Sequence, residues 1–227
     1  MIIAIHQPQY LPWLGYFDKI EQSDVFVFLD NVQFKKNEWQ NRNKIKTSDG
    51  WQWLSVPVIH SFGQKIYEVE INNTVQWGRK HLNALATHYS KAPFFQDHID
   101  FFEKTFSQEW KLLAEINIHV IRYLTEALGI KNKKFITASQ LSAREGSTER
   151  LADICCQLNG DVYLSGRDGS KYLDLELFKQ EGIQVVFQDY QHPRYPQLYG
   201  DFEPFLSVID LLFNCGPESL SILKKGE

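Results

Sequence analysis

The stretch Met1–Tyr16, MIIAIHQPQYLPWLGY, decides how the fold begins. Its apolar run Ile2–Ile5 predicts a short buried strand that stops at His6, and a helix is predicted to open around Gly15 after a proline-containing turn. In a parallel α/β sheet, ligands bind where a strand ends and a helix begins, and the backbone N–H groups of that helix favour anions. A histidine followed by amide and aromatic side chains at such a junction indicates an active site.

Beyond this start the chain alternates between predicted strands and helices, an order that is typical of α/β folds. A second buried strand is expected at Val25–Leu29, and the turn Ser48-Asp49-Gly50 predicts a β-hairpin between strands at Lys44–Thr47 and Trp51–Val58. The spacing of apolar residues then predicts a helical region, which a strict alternation of strand and helix follows. The later elements are expected at Glu68–Ile71, Trp77–Tyr89, Phe94–Phe102, Ser107–Leu128, Phe135–Ala138, Thr148–Leu158, Val162–Leu164, Leu173–Gln180, Ile183–Phe187, Pro204–Phe213 and Glu218–Lys224.

This order predicts one domain rather than several. We expect residues 1–227 to form a single α/β domain whose parallel sheet is interrupted by a β-hairpin and by a helical insertion at about residues 76–130. The chain has no internal repeat and no long linker that would separate two domains.

The composition excludes several classes of protein. The 227 residues, 43% of them hydrophobic, are enough to bury a substantial core. A formal net charge of −4 argues against a nucleic-acid binder, which carries a basic field. No apolar run reaches the ~20 residues that a membrane-spanning helix needs, and the N-terminus lacks the basic start of a signal peptide. The three cysteines form no disulfide framework or zinc motif, so we expect a cytoplasmic protein without a metal site.

Polar segments follow three of the predicted strands, and they are His6, Ser165–Ser170 and Asp189–Arg194. Because the carboxyl ends of parallel strands meet at one edge of a sheet, we expect these segments to line one cleft. His6 can act there as an acid, a base or a phosphate ligand, and the alternative is a histidine that caps the strand through a backbone hydrogen bond. Asp189 is a second catalytic candidate, and His192 is a candidate ligand contact.

The segment Lys35–Lys46 is the most basic of the chain, with four lysines and one arginine against a single acidic residue. Lysine and arginine bind phosphate, so Lys36 and Arg42 are candidate phosphate contacts, and Trp39 and Asn43 are candidates beside them. The alternative is a charged hairpin that faces solvent.

The loop that follows the predicted strand Val162–Leu164 has the composition of a phosphate site. Two glycines and two hydroxyls accompany an arginine and an aspartate, which makes Ser165, Gly166 and Arg167 candidate phosphate contacts. The loop matches neither the Walker A motif nor GxGxxG, and the alternative is an ordinary turn. Asp30, at the end of the second strand, is a third catalytic candidate, for Mg²⁺ or for a ribose hydroxyl.

Several longer motifs of the chain resemble those of one family. They are HQPQYLPWLGYFDKI at residues 6–20, D-x-VQFxKxxWQNRNxIK at 30–46, WLSVPV at 53–58, HYSKAPFF at 88–95, YLSG at 163–166, YLD at 172–174, FQDYxHPxYxQ at 187–197 and SVIDLLFNxG at 207–216. All are similar to the WbqC-like protein family. By this resemblance the motif positions are His6, Gln7, Pro8, Tyr10, Gly15, Tyr16, Asp30, Gln33, Trp39, Arg42, Asn43, Ser165, Gly166, Asp189, His192 and Asp210.

The resemblance implies a protein of bacterial O-antigen and other surface-polysaccharide biosynthesis, for which transfer of glycine or another aminoacyl group to an amino sugar has been suggested. It adds Gln7, Tyr10, Gly15 and Tyr16 to the candidate substrate contacts. A carboxylate and an amine do not condense unaided in water, so the acyl group must arrive activated. ATP with Mg²⁺ is therefore the cofactor to consider, unless a preformed donor is used.

A second resemblance concerns the fold. The succession of strand, Pro-x-x-Gly-Tyr and helix is similar to the Rossmann-like fold of the nucleotidylyltransferases, whose signature is HxGH. Here Trp13-Leu14-Gly15-Tyr16 stands in that place, and both signature histidines are missing. This difference argues against standard adenylyl transfer.

The leading hypothesis is an acyl or aminoacyl transferase or ligase that acts on a nucleotide-linked amino sugar, a small-molecule substrate. In it His6 is the acid, base or phosphate contact, Lys36 and Arg42 hold phosphates, and Asp30 or Asp189 binds Mg²⁺ or a hydroxyl. One alternative is a nucleotidyltransferase on a small molecule, which releases pyrophosphate. The other is a non-catalytic nucleotide-binding protein, which binds without turnover.

Overall fold

Within residues 1–226, which the computed structural model describes, the chain forms a central sheet, small hairpins and surrounding helices. The strands are β1 (Ile2–His6), β2 (Val25–Phe28), β3 (Arg42–Thr47), β4 (Gly50–Ser55), β5 (Val58–Ile59), β6 (Glu70–Ile71), β7 (Lys134–Thr137), β8 (Val162–Ser165) and β9 (Gln184–Phe187). The helices are α1 (Leu14–Gln22), α2 (Trp77–Tyr89), α3 (Gln96–Ser107), α4 (Leu113–Ala127), α5 (Ser147–Gln157), α6 (Leu175–Gln180), α7 (Val208–Cys215) and α8 (Ser219–Leu223).

The central sheet has the order β7-β2-β1-β8-β9, and every neighbouring pair is parallel. Numbered by their own succession along the chain, these strands run 3-2-1-4-5, as do the first five strands of a doubly wound sheet. The chain leaves β1 for β2 on one side and later adds β8 on the other. The expected parallel α/β sheet is confirmed, and the crevice between the carboxyl ends of β1 and β8 is its switch point, where such sheets bind ligands.

Both faces of the sheet are covered, which explains why its strands are apolar on both sides. On one face Ile3 and Val27 share a core with Phe178 of α6 and with residues of α5. On the other face Phe26 and Phe28 belong to a larger core that also contains residues of α1, α4, α7 and α8. Because side chains alternate along a strand, the two cores take alternate residues of β1 and β2.

Two antiparallel hairpins lie outside the central sheet. β3 pairs with β4, as the sequence predicts, and Gly50, which begins β4 directly after the turn, has a φ of +116°, which favours glycine. The sequence also predicts a single strand over Trp51–Val58, whereas β4 ends at Ser55 and β5 pairs separately with β6. Pro57 explains this break, because proline has no N–H to donate to a strand ladder.

Helix α2 has the predicted bounds, whereas α4 begins later than the spacing of apolar residues predicts. It starts at Leu113 rather than at Ser107. The reason is a pair of long-range backbone hydrogen bonds, both 2.9 Å long, from the N–H of Ile71 to the carbonyl of Lys111 and from the N–H of Leu113 to the carbonyl of Val69. These bonds hold the segment before α4 in an extended conformation.

Helices α2, α3 and α4 fall within the region predicted as a helical insertion, and they share the larger core with the sheet. The rings of Tyr89 and Phe102 pack against Phe213 of α7, with centroids 5.3 and 5.8 Å apart. None of the helices in residues 1–226 combines the length and the apolar character that crossing a bilayer requires.

Candidate functional site

A cleft of about 600 Å³ opens at the carboxyl ends of β1 and β8. This volume is in the range of small-molecule sites in proteins. Its walls come from the start of the chain, the segment just before β3, the turn after β8 and the segment after β9. The sequence-predicted site residues that line it are His6, Gln7, Gly15, Tyr16, Trp39, Gly166, Arg167 and His192.

The loop Gln7–Trp13 forms one wall, and side chains from distant elements hold it. Asn117 of α4 is fully buried, and its Nδ2 donates a 3.0 Å hydrogen bond to the carbonyl of Pro8. Asn43 of β3 donates from Nδ2 to the carbonyl of Leu11 at 2.6 Å. Asn43, a predicted ligand contact, is therefore buried and holds this loop instead of lining the cleft.

Gln40 joins the same loop to the segment just before β3. Its Nε2 donates to Oε1 of Gln7 at 2.7 Å, and its Oε1 accepts from the N–H of Lys35 at 2.8 Å. The carbonyl of Gln40 accepts a second hydrogen bond from Asn117, 2.8 Å long. This network orients the Gln7 side chain, which lines the cleft.

His6 ends β1, and its ring lines the cleft. Nδ1 lies 3.2 Å from the carbonyl of Gln7, and since a carbonyl only accepts, Nδ1 carries the proton and Nε2 is left as an acceptor. The ring of Tyr16 meets it edge-on, with centroids 4.8 Å apart. Burial, together with the nearby Lys19, lowers the pKa of His6 to about 3, so the imidazole is neutral near pH 7. His6 therefore makes a backbone hydrogen bond, as the alternative of a strand-capping histidine requires, and it also lines the cleft.

Lys19 lies in the floor of the cleft, and although the motif at residues 6–20 contains it, nothing in the sequence marked it as a ligand contact. The side chain is 2% exposed, and Nζ donates to the carbonyl of Ile5 at 3.0 Å. Burial lowers the pKa of Lys19 to about 7. One signal could have found it: Lys19 follows Gly15 by four residues, and residues four apart share one face of a helix.

Gln9 supplies a buried acceptor. It is 8% exposed and lines the cleft, and its Oε1 has no hydrogen-bond partner within residues 1–226. Buried polar atoms are almost always hydrogen-bonded, so an unpaired oxygen in the lining of a cleft is a candidate contact for a water or a ligand. The motif around it contained Gln9, but nothing in the sequence distinguished it from the neighbouring glutamine.

An aromatic cluster, formed by Trp13, Tyr190, His192 and Phe205, makes the wall at the cleft mouth. The ring of Trp13 is nearly parallel to that of His192, with centroids 6.4 Å apart, and lies 5.7 and 5.8 Å from those of Tyr190 and Phe205. Phe205 is 54% exposed and has a φ of +58°, a strained conformation for a bulky residue. Such strain is concentrated at functional sites.

His192 positions this aromatic cluster. Its Nδ1 donates to the carbonyl of Pro193 at 2.9 Å, and its Nε2 accepts from the N–H of Phe205 at 3.1 Å. Both ring nitrogens are therefore engaged, and burial lowers the pKa of His192. The ring contributes a face to the wall rather than a free nitrogen.

Gly15 is required by Trp13. A Cβ at Gly15 would lie 2.3 Å from the indole ring of Trp13, so only glycine lets the indole fold back onto the start of α1. The carbonyl of Gly15 accepts a 2.8 Å hydrogen bond from Gln188, another lining residue. The glycine thus shapes the wall of the cleft.

The turn after β8 forms the opposite rim, with Gly166, Arg167 and Asp168 lining the cleft. Ser165 is buried, and its Oγ donates to the carbonyl of Gly166 at 3.2 Å. Asp168 forms a 2.5 Å ion pair with Lys171. Gly166 and Arg167 are therefore the predicted phosphate contacts of this loop that reach the cleft.

The basic hairpin residues do not converge on the cleft. Lys36 is exposed, and the guanidinium of Arg42 lies 4.2 Å from the centroid of the Trp53 ring. Trp39 alone of the predicted residues in this segment lines the cleft, and its ring packs against Trp53 with centroids 5.6 Å apart.

Tyr10 is fully buried and does not line the cleft. Its hydroxyl lies 2.7 Å from Nδ1 of His81, and Nε2 of His81 lies 3.2 Å from the carbonyl of Ser55. The carbonyl only accepts, so Nε2 carries the proton and Tyr10 donates to Nδ1. Burial lowers the pKa of His81 to about 4, which keeps this chain of hydrogen bonds neutral.

The two predicted catalytic carboxylates also lie outside the cleft lining. Asp30 is 2% exposed and accepts from the N–H and the hydroxyl of Ser139, at 2.8 and 2.7 Å. Burial raises the pKa of Asp30, and its role is to tie β2 to the residues after β7. Asp189 is exposed and accepts from Gln191 at 3.1 Å.

Asp210, a motif position in α7, is fully buried away from the cleft lining. Its carboxylate accepts from the Tyr89 hydroxyl at 2.9 Å and from Nε2 of Gln197 at 2.8 Å. Burial raises the pKa of Asp210 to about 6 against these hydrogen bonds. The group joins α7 to α2 and to the segment after β9.

Residues 1–226 contain no group of three or more histidine, cysteine, aspartate or glutamate side chains that could hold a metal ion. Asp168 is the one carboxylate among the described residues that line the cleft.

The model of the WbqC-like protein family matches residues 7–222. An uncharacterized protein of Mycobacterium tuberculosis (strain ATCC 25618 / H37Rv), Rv1507c, is 38% identical over 226 residues, which are 98% of this chain and 97% of that protein. No solved structure matches the chain. On the extent of these matches, the chain belongs to the WbqC-like protein family.

Proposed function

We propose that the protein is a cytosolic transferase or ligase that joins an acyl group, such as an aminoacyl (glycyl) group, to the amine of a nucleotide-linked amino sugar. The setting that we propose is bacterial surface-polysaccharide (O-antigen) biosynthesis. The observation that carries the proposal is one cleft, at the switch point of a parallel sheet, that holds a neutral imidazole, an arginine, a buried lysine and an aromatic wall.

The rim supplies the contact for phosphate. Arg167 lines the cleft beside Gly166, where a Cβ would meet no atom within 4 Å, so a ligand can approach the backbone closely. A guanidinium binds two phosphate oxygens at once. If ATP with Mg²⁺ activates the acyl group, Asp168 is the lining carboxylate that would contact the ion, since Mg²⁺ uses one or two carboxylates together with phosphates.

The aromatic cluster supplies the contact for a ring. Trp13 and Phe205 present apolar faces at the mouth, while Gln188 and Gln191 line the same side with amide groups. Flat apolar faces stack on nucleobases, and amides bind the polar edges or hydroxyls of such a ligand. This combination suits a nucleotide sugar better than a small inorganic anion.

His6 supplies the proton acceptor nearest to the strand end. In acyl transfer the amine nitrogen forms a bond to the acyl carbon, the bond from that carbon to its leaving group breaks, and the electron pair departs with the leaving group. The proton lost by the amine needs an acceptor, and Nε2 of His6 has no hydrogen-bond donor from the protein in the described residues. Because burial lowers the pKa of His6 to about 3, the imidazole alone is a weak base, and it takes this proton when a bound anion in the cleft offsets the effect of burial. The substitution His6→Gln keeps a hydrogen-bond acceptor at this position of the cleft, whereas His6→Ala removes it.

Thermal-shift and calorimetric measurements of binding test the proposal, with ATP, a nucleoside diphosphate and amino-sugar nucleotides as ligands. We expect wild-type protein to be stabilised by a phosphate-bearing ligand, and Arg167→Ala to weaken that binding about 10- to 100-fold. Arg79→Ala on the exposed face of α2 is the matched control. If no phosphate-bearing ligand stabilises the wild type, the proposal is wrong. Release of pyrophosphate without acyl transfer would favour a nucleotidyltransferase instead.

A further inference from the structure

The floor of the cleft contains a cation that the protein itself does not neutralise. Helix α1 is buried on nearly every side, with seven of its nine residues buried, and Lys19 is one of them. Within residues 1–226 its Nζ donates one hydrogen bond, to the carbonyl of Ile5, and no ion pair includes it. Buried lysines are normally paired, because desolvating an ammonium is costly.

The surrounding groups do not remove this cost. The side chains in the cleft that carry or change charge are His6 from β1, Arg167 and Asp168 from the turn after β8, and His192 from the aromatic cluster. His6 is neutral and Asp168 is paired with Lys171. Burial raises the pKa of three of the four lining tyrosines, Tyr16, Tyr163 and Tyr172, so these three are uncharged; the fourth is Tyr190. Asp18, next to Lys19 in the sequence, accepts from Gln22 and Gln188.

A second buried group in the lining independently indicates a ligand. Within residues 1–226, Oε1 of Gln9 is an acceptor without a donor, in a side chain that is more than nine-tenths buried. Lys19 and Gln9 both line the same cavity, with Oε1 itself covered by protein atoms. An anionic oxygen of a ligand pairs with the cation, and a rotation of the Gln9 amide lets its Oε1 accept from an N–H or O–H donor of the same ligand.

We infer that Lys19 binds a carboxylate or phosphate group of the ligand at the floor of the cleft, as an anion site distinct from Arg167 at the rim, and that Gln9 accepts a hydrogen bond from the same ligand. This inference rests on the proposed function only in taking the cleft as the ligand site. Burial lowers the pKa of Lys19 to about 7, and an anion that binds beside the amine raises that pKa again. Binding of the anion is therefore linked to uptake of a proton by Lys19.

Calorimetry of acetate, pyrophosphate and ADP in buffers of different ionisation enthalpy tests the inference. At pH 8 the free amine is mostly neutral, so we expect uptake of about one proton for each ligand bound, falling towards zero at pH 6. In Lys19→Met the uptake disappears and affinity falls at least about tenfold. Lys179→Met, at an exposed position of α6, is the matched control and should behave as wild type. Proton uptake with acetate identifies a carboxylate site, and uptake with pyrophosphate or ADP alone identifies a phosphate site.

The outcomes separate this inference from the proposed function. If wild type binds ADP and Lys19→Met binds it equally, with the same proton count, the inference is overturned and the proposed function stands. If no probe binds wild type, this inference is rejected, and the proposed function is decided separately by the binding of ATP and amino-sugar nucleotides. A measurement without ligand guards against misfolding: Lys19→Met should unfold at a higher temperature than wild type at pH 7. The difference should shrink as pH rises towards 10, because the folded-state amine is then neutral and the unfolded-state amine approaches its own pKa of about 10.4. An equal or lower unfolding temperature at pH 7 contradicts an unpaired buried cation.

Discussion

The substitution Asn117→Ala tests whether the wall of the cleft depends on helix α4. Asn117 donates to the carbonyls of Pro8 and Gln40, at 3.0 and 2.8 Å. Alanine leaves two carbonyl oxygens without this donor, and each unsatisfied buried acceptor costs about 1–3 kcal/mol. Oδ1 of Asn117 has no partner within the described residues, so its removal offsets part of that loss. We expect the free energy of unfolding to fall by about 2–4 kcal/mol.

Urea unfolding followed by circular dichroism measures this change, and the melting temperature should fall by on the order of 10 °C. Asn83→Ala is the matched control, because Asn83 is exposed on α2, and its effect should stay within about 0.5 kcal/mol. The affinity for any cleft ligand should fall in Asn117→Ala even where the protein remains folded. A stability within about 0.5 kcal/mol of the wild type would refute the argument that these two hydrogen bonds hold the wall.

Four further substitutions, one of them a control, have outcomes that the structure determines. Gly15→Ala forces the adjacent indole out of its place and should cost about 1–3 kcal/mol in urea unfolding, whereas Gly166→Ala, with open space at its Cβ, should change stability by less than about 0.5 kcal/mol. The pKa of Asp210 is raised to about 6, so its contribution to stability falls as pH rises from about 4 to 6. The free energy of unfolding of Asp210→Asn should therefore rise by on the order of 3 kcal/mol relative to that of the wild type over this range. A difference between the two proteins that does not change with pH would contradict this. Tyr10→Phe removes the donor to Nδ1 of His81 and should cost about 1–3 kcal/mol at pH 7, and no loss in thermal unfolding would show that the hydrogen bond contributes nothing.

The sequence predicts those elements whose causes are local. The apolar run of β1 and the 3.6-residue spacing of α2 are visible in a short window, and both elements form as expected. The start of α7 is set instead by distant partners. It begins at Val208 rather than at Pro204, because the N–H of Ser207 donates to the carbonyl of Lys44 at 2.9 Å and the N–H of Val208 to the carbonyl of Pro12 at 2.8 Å. No local spacing contains these bonds.

The candidate site was predictable to the same extent. The rule that ligands bind at strand ends led to His6 and Arg167, which line the cleft. The same rule led to Asp30, which Ser139 satisfies, because a strand end does not reveal how a carboxylate is paired. Lys19 was missed, since a lysine in a nine-residue helix is normally on the solvent side, and only the packing of both faces of α1 buries it.

The two sides of the cleft differ in how they are fastened. The wall formed by residues 7–13 is bonded to α4, to β3 and to the start of α7. The turn at Arg167–Lys171 is bonded mainly to itself, from the N–H of Gly169 to the carbonyl of Gly166 at 2.9 Å and from Oγ of Ser170 to the carbonyl of Arg167 at 3.0 Å. Ligands of unequal size therefore meet one rigid side and one compliant side, and backbone amides should exchange with deuterium faster in the turn than in the wall.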